Sequence, residues 1–247
     1  MQHSDQEKKE RLEKILSNLG YGVRKDVPYW IRKGWVTVNG ERAKSASQKV
    51  FASEVMLEGK PLDHPFGLTI VYHKPLGVVC SRKEEGQLIF SDFPERWLDR
   101  KPALSSVGRL DKNTSGLLIV TDDGQLNHQI TSPKHHIPKI YAVTLADPLQ
   151  GNEAEQFSSG TLMLESDDTP CLPAELEITG EKSAAITLHE GRYHQIRRMF
   201  AAIGHHVTTL QRTHIGGLSL ASLQLSEGAY QSMTADEVMQ RIMGSSA

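Results

Sequence analysis

The chain has 247 residues and 27.5 kDa, with 38% apolar and 23% charged residues; that supplies one large or two small cores and argues against a disordered chain. Apolar runs as short as Leu117 to Val120 and the polar start Met1-Gln2-His3-Ser4-Asp5-Gln6 argue against a bilayer span and against a secretory signal. Cys80 and Cys171 lie far apart with no CxxC spacing, which argues against a disulfide scaffold and a cysteine zinc site and sets the expectation of a cytoplasmic protein with reduced thiols. Net charge is −2, but it is unevenly spread: residues 1–63 carry 12 Lys+Arg against 9 Asp+Glu. From His189 to His214 there are four arginines, five histidines and a single acid, Glu190, and Lys134-His135-His136 with Lys139 forms a second basic knot. A phosphate backbone responds to such local patches, so charge permits a nucleic-acid partner without demanding one.

In chain order, Leu12, Ile15, Leu16 and Leu19 predict one face of a short helix ended by Gly20. A second helix is expected over Arg24 to Lys33, closed by Gly34 and limited or kinked by Pro28. Val36-Thr37-Val38 followed by Asn39-Gly40 reads as a strand entering a type I′ hairpin, and Val55 to Lys60 as another short strand and turn. This is a helix–helix–hairpin unit over residues 1–62, followed by a linker over 63–67. From 68 to the end the pattern predicts short strands at Leu68–Tyr72, Gly77–Cys80, Leu117–Val120, Tyr141–Leu145, Glu175–Ile178 and Ala184–Leu188. Helices are expected at Gln125–Thr131, at His194–Ile203 and after Thr234, where Thr234-x-x-Glu237 reads as a capping box. Strands outnumber helices without alternating with them, so the fold class is α+β, with a mainly antiparallel mixed sheet flanked by helices.

Two stretches stand out chemically. Gly108-Arg109-Leu110-Asp111-Lys112-Asn113-Thr114-Ser115-Gly116 is a polar loop entering an apolar strand, a rigid support for a functional side chain. Asp111 lies between two cations; read alone, it is better taken as a solvated loop aspartate than as a functional one. In Glu190 to Phe200 a helix would place Ile196, Met199, Phe200 and Ile203 on one face with Arg197 and Arg198 beside it, offering a bidentate partner for a carboxylate or phosphate, or simply an amphipathic core helix. Nothing matches a glycine-rich phosphate cradle, GxSxG or HExxH, so nucleotide hydrolysis, serine-hydrolase and zinc-protease readings have no support.

At these residues the chain resembles a known family. Gly108-Arg109-Leu110-Asp111 with Thr114-x-Gly116-Leu117-Leu118 resembles the catalytic motif of RNA pseudouridine synthases of the RsuA/RluB group. His73-Lys74-Pro75-x-Gly77, Lys139-Ile140-Tyr141 and Gly191-Arg192-x-His194-Gln195-Ile196-Arg197-Arg198-Met199 resemble three further motifs of that family, in the family's order. Arg11-Leu12-x-x-Ile15-Leu16, Ile31-Arg32-x-Gly34 and Val36-Thr37-Val38-Asn39-Gly40 resemble the S4 RNA-binding fold. Thr131 to His136, Glu190 to Gln195 and Ile215-Gly216-Gly217 point to the small-subunit branch of the family.

The resemblance implies an S4-like RNA-binding domain followed by a catalytic domain over 68–247, working without cofactor or metal. The substrate it implies is one uridine of 16S rRNA, uridine 516 by family designation, in free RNA or a small-subunit assembly intermediate. Asp111 would be the essential carboxylate, Tyr141 would stack on the flipped uracil, and Arg197 would pair with Asp111. Arg109, Lys112, Lys139, Arg192, His194 and Arg198 would contact RNA beside them, and Arg11, Arg32 and Lys33 would do so from the S4-like unit. A monomer is the expectation. Two departures are Val23, where the family often has a serine cap, and His214, where relatives often carry arginine and where any phosphate contact would depend on pH. Two rivals stay open: a synthase of the same class acting on 23S rRNA, and a non-catalytic S4-like assembly factor.

Overall fold

The computed structural model describes residues 8–244; the polar start Met1 to Gln6 lies outside them. The chain forms two compact units, one running to Thr69 and adding Phe90–Ser105 and Thr121–Asp123, the other made of Ile70–Ile89, Ser106–Val120 and the chain from Gly124 onward.

In the first unit the helix Leu12–Asn18 buries Leu12, Ile15 and Leu16, and Gly20 ends it at φ +80°. A 3₁₀ turn, Arg24–Asp26, leads into the helix Val27–Arg32. Pro28 sits in the first turn of that helix, where its missing N–H has no intrahelical partner to lose, so it starts the helix rather than kinking it. Val23 offers no side-chain acceptor, yet half of a capping arrangement survives: its N–H donates to Asp26 Oδ2 at 3.1 Å. The strand Val36–Val38 pairs with Glu41–Arg42 across Asn39 and Gly40, whose φ values of +52° and +82° are those of the expected I′ turn. It pairs on its other side with Val55–Leu57. The two helices and this small sheet enclose one core of Leu12, Leu16, Val27, Val36 and Val55. Segment 63–67 is held by side chains: Trp97 Nε1 and Arg96 donate to Asp63, and Arg100 Nη2 donates to the His64 carbonyl at 2.9 Å.

The second unit is built on a sheet of nine strands among the described residues. Its main path runs Glu175–Gly180, Ser183–Leu188, Lys139–Leu145, Val207–Ile215, Ser115–Thr121, Thr69–Lys74, Tyr230–Met233. The first four are antiparallel in sequence of pairing, and Val207–Ile215 then pairs parallel with Ser115–Thr121. Helices Gly124–Thr131, Gln195–Ala202 and Ala235–Ile242 pack against it, the last opened by the expected capping box, with Glu237 N donating to Thr234 Oγ1 at 3.2 Å. The α+β expectation holds. Ser115–Thr121 is buried at every position, as a central strand covered on both faces must be.

Two expectations need correction. Gly77–Cys80 is a loop with one bridge, Val79 to Leu88, because its backbone bonds elsewhere: Gly77 N donates to the Lys112 carbonyl at 2.8 Å. The central strand Val207–Ile215 was not expected at all. Its sequence, Val-Thr-Thr-Leu-Gln-Arg-Thr-His-Ile, has no apolar run, since Gln211, Arg212 and His214 interrupt it.

Candidate active site

Within the second unit a cleft of about 700 Å³ is lined by Gly108–Asp111, Lys139, Tyr141, Glu190–Ile196 and Arg212, among others. Asp111 stands at its wall with a side chain 36% exposed, on a loop whose backbone is almost fully engaged. Its carbonyl accepts from Thr114 N at 3.0 Å and from Lys74 Nζ at 3.2 Å. The Lys112 carbonyl accepts from Gly77 N, the Asn113 carbonyl from Arg197 Nη2 at 2.8 Å, and the Thr114 carbonyl from Lys74 Nζ at 2.9 Å. Four consecutive carbonyls are thus tied down, which fixes the carboxylate without touching it.

Lys74 is the centre of this arrangement. It is fully buried, and its ammonium donates to the carbonyls of Pro75, Asp111 and Thr114. Burial pushes its pKa down, opposed by Cys80, Asp111 and Glu227. Gly116 follows at φ +112°, with its Cα so close to the neighbouring strand that an added Cβ would stand 2.2 Å from the Arg212 carbonyl oxygen. Only glycine lets the two parallel strands meet there.

Tyr141 lies opposite Arg212 and Ile186, directly after a register shift between Ile140 and Tyr141. A bulge at this point re-aims a side chain, and the Tyr141 side chain lines the cleft. Lys139 is half-buried at the same wall, and burial together with the Arg212 charge lowers its pKa. Arg109 lines the cleft from an exposed position, and Lys112 is exposed on the Asp111 loop.

The expected pairing of Arg197 with Asp111 is not what the structure contains. Arg197 Nη1 donates to the Val207 carbonyl and Nη2 to the Asn113 carbonyl, both at 2.8 Å; the guanidinium is engaged by backbone and reaches the aspartate loop, not its carboxylate. The side chain that faces the carboxylate is His194, with Nε2 3.6 Å from Asp111 Oδ1.

Arg192 and Arg198, expected as RNA contacts, are engaged within the protein. Arg192 pairs with Asp167 at 3.0 Å and Glu190 at 3.1 Å and donates to the carbonyls of Thr169 and Pro170. Arg198 pairs with Asp167 at 2.6 Å and donates to the Tyr193 and Glu165 carbonyls. These bonds hold Asp167 below the ordinary carboxylate pKa. Their guanidinium donors face the protein's own oxygens, leaving little for phosphate. In the first unit Arg11, Arg32 and Lys33 are exposed, with Lys33 Nζ 5.6 Å above the Tyr29 ring.

Sequence reasoning did not single out Arg212. It is 4% exposed, donates from Nε to the Leu117 carbonyl at 2.8 Å, and keeps Nη2 without a partner. A lone arginine between Leu210 and Ile215 is the signal that could have marked it. With Lys139, which lines the cleft beside it, it makes the cleft floor cationic, backed by Lys74 buried beneath the Asp111 loop, a field that favours an anionic ligand. Among the described residues no group of three His, Cys, Asp or Glu side chains converges to hold a metal.

The described model of RNA pseudouridylate synthases matches residues 68–202, and that of the S4 domain matches 10–55. The chain belongs to the RNA pseudouridylate synthase family. It is 40% identical over 230 residues to "Ribosomal small subunit pseudouridine synthase A" of Pasteurella multocida, covering 92% of this chain and 97% of that protein. It is 41% identical over 213 residues to the protein of the same name from Escherichia coli K12, covering 84% and 89%. A solved structure titled "Crystal structure of pseudouridylate synthase" superposes with a TM-score of 0.65 at 38% identity, covering 94% of this chain and 99% of that one. The synthase is therefore an isomerase of RNA uridines carrying an S4 domain, and among the described residues no helix is long and apolar enough to cross a membrane.

Proposed function

We propose that this synthase isomerises one uridine of 16S rRNA, uridine 516 by family designation, to pseudouridine during small-subunit assembly, with Asp111 as the essential carboxylate. The observation that carries the reading is the placement of Asp111: a half-exposed carboxylate in a cationic cleft, on a loop held through four successive carbonyls. The names of the small-subunit relatives support the choice of rRNA.

The reaction breaks the bond between N1 and C1′, turns the base, joins C5 to C1′, and moves one hydrogen from C5 to solvent while N1 gains one. The uracil must leave its stack to enter the cleft, at a cost of a few kcal/mol. The Tyr141 ring supplies a stacking wall worth about 1–3 kcal/mol for one base. The cations at the floor hold the carboxylate's surroundings positive while the glycosidic bond separates. Arg197 acts as a positioning residue through the Asn113 carbonyl. Arg109, Lys112 and Lys139 remain the cations available to RNA phosphates at the cleft, and Arg11, Arg32 and Lys33 those of the S4 domain. The synthase works as a monomer, with its S4-like domain in residues 1–62 and its catalytic domain in 68–247, of which Phe90–Ser105 and Thr121–Asp123 belong to the first compact unit.

Mapping pseudouridines in rRNA from cells lacking the protein tests this reading. It predicts the loss of a single 16S site, restored by the wild-type gene. A lost 23S site would overturn the substrate, and no lost site would favour a non-catalytic assembly factor.

A further inference from the structure

We infer that Tyr193 and His194 form a stacking platform for the unpaired base next to the target uridine, a binding subsite separate from the uracil pocket at Tyr141. Tyr193 is 72% exposed, the most exposed large hydrophobic side chain among the described residues. Its ring stacks on the His194 imidazole with centroids 3.8 Å apart and planes 19° from parallel. One face of the tyrosine is covered by that imidazole and the other is open.

The turn that presents the pair is built to be stiff. Arg192 N donates to Gln195 Oε1 at 2.9 Å, and the buried Gln195 donates to Glu190 Oε1 at 2.6 Å. The Tyr193 carbonyl accepts from Arg198 Nη1, whose guanidinium is locked on Asp167. His194 adopts φ +50°, an unfavourable backbone state for a residue with a side chain. It stands there as the residue that opens the Gln195–Ala202 helix. An exposed aromatic on a pre-ordered turn loses little freedom when a flat partner stacks on it.

The place of the platform names its occupant. His194 Nε2 lies 3.6 Å from Asp111 Oδ1 and Tyr193 stacks on the same imidazole, so the stacked pair sits beside the carboxylate at the cleft wall. Whatever stacks there is a close neighbour of the group under attack. The same cleft carries Arg109, Lys139 and the half-buried His189, a charge suited to the phosphates on either side of that neighbour. An RNA base fits both the ring and the charge. The inference rests on the reading of this cleft as the uridine-isomerising site, and it deepens it by naming where the adjacent nucleotide is held.

The test uses the full chain and an RNA transcript bearing whichever uridine the rRNA mapping identifies. Dissociation constants and steady-state kinetics are measured for wild type, Tyr193→Leu and Tyr193→Phe, on the intact transcript and on a series with one abasic ribose at each nucleotide flanking the uridine. Loss of a base–aromatic stack predicts a Kd raised about 5- to 150-fold for Tyr193→Leu, with the loss in KM rather than kcat and recovery in Tyr193→Phe. One abasic position should weaken wild type by a similar factor and Tyr193→Leu hardly further. An unchanged Kd in Tyr193→Leu, or equal abasic losses in both proteins, would overturn the platform. A loss seen only on small-subunit particles and not on the bare transcript would assign Tyr193 to a protein contact instead. Melting temperatures of the variants distinguish any of these from misfolding, and a wild type that modifies a different rRNA changes the substrate reading alone.

Discussion

Replacing Lys74 by methionine removes a charge that the fold has buried completely, and the structure allows the effect to be sized. The ammonium donates to three carbonyls, those of Pro75 and Thr114 at 3.0 and 2.9 Å and that of Asp111 at 3.2 Å. Methionine keeps the apolar stem as far as Cε but no donor. The Asp111 carbonyl retains Thr114 N, and the part-buried Pro75 carbonyl can turn to water; the buried Thr114 carbonyl loses its lysine donor. Losing the donor of one buried acceptor costs about 1–3 kcal/mol. Relief from burying an ammonium, visible in its lowered pKa, offsets part of this. The expected net loss is about 1–2 kcal/mol, which lowers the melting temperature by about 2–4 °C for each kcal/mol in a domain of this size. Activity should fall further than stability. Thr114 and Asp111 close the turn that aims the carboxylate, and misplacement by about 1 Å costs on the order of 100-fold in rate. The assay is thermal melting beside single-turnover isomerisation at saturating RNA, at a temperature where the variant is folded. A Lys74→Met protein with the wild-type melting temperature and rate would refute the view that the loop is held through its carbonyls.

Other outcomes follow from single positions. Gly116→Ala places a Cβ 2.2 Å from the Arg212 carbonyl at φ +112° and should cost at least about 2 kcal/mol by chemical denaturation; a change below about 0.5 kcal/mol would contradict the close approach of the strands. Glu153 gives the stability a pH dependence of known sign. Burial raises its pKa, but the N–H groups of Gln150 and Gly151 and the His205 ring outweigh that and hold it below the usual 4.5. Its contribution is therefore present above about pH 4.5 and is lost as pH falls through the lower folded value. Melting curves of wild type and Glu153→Gln from pH 7 to pH 3 should differ most near neutrality and converge in acid; parallel curves would contradict the assignment.

The elements legible in the sequence were those whose pattern is local. Leu12, Ile15, Leu16 and Leu19 announced a helix, Asn39-Gly40 a I′ turn, and Thr234 with Glu237 a helix start, and each stands as expected. Asp111 and Tyr141 were marked by motif order and both line the cleft. Orientation was not legible. Neither the pairing of Arg197 with the Asn113 carbonyl nor that of Arg192 and Arg198 with Asp167 leaves a local trace, because each joins segments far apart in the chain. The strand Val207–Ile215 was hidden for another reason: Gln211, Arg212 and His214 break its apolar run although it is central, and of these Arg212 lines the functional cleft. Lys74 and Arg212 are buried charges that satisfy the fold through carbonyls found only once the strands are assembled.

The central claim is that the Asp111 carboxylate carries the isomerisation. Because the reaction expels the hydrogen at C5, tritium release from 16S rRNA labelled at uridine C5 counts it directly. Purified wild type and Asp111→Asn, matched for melting temperature and RNA affinity, would be compared in a single turnover. The account predicts stoichiometric release by the wild type and none by Asp111→Asn; release by Asp111→Asn at the wild-type rate would contradict it.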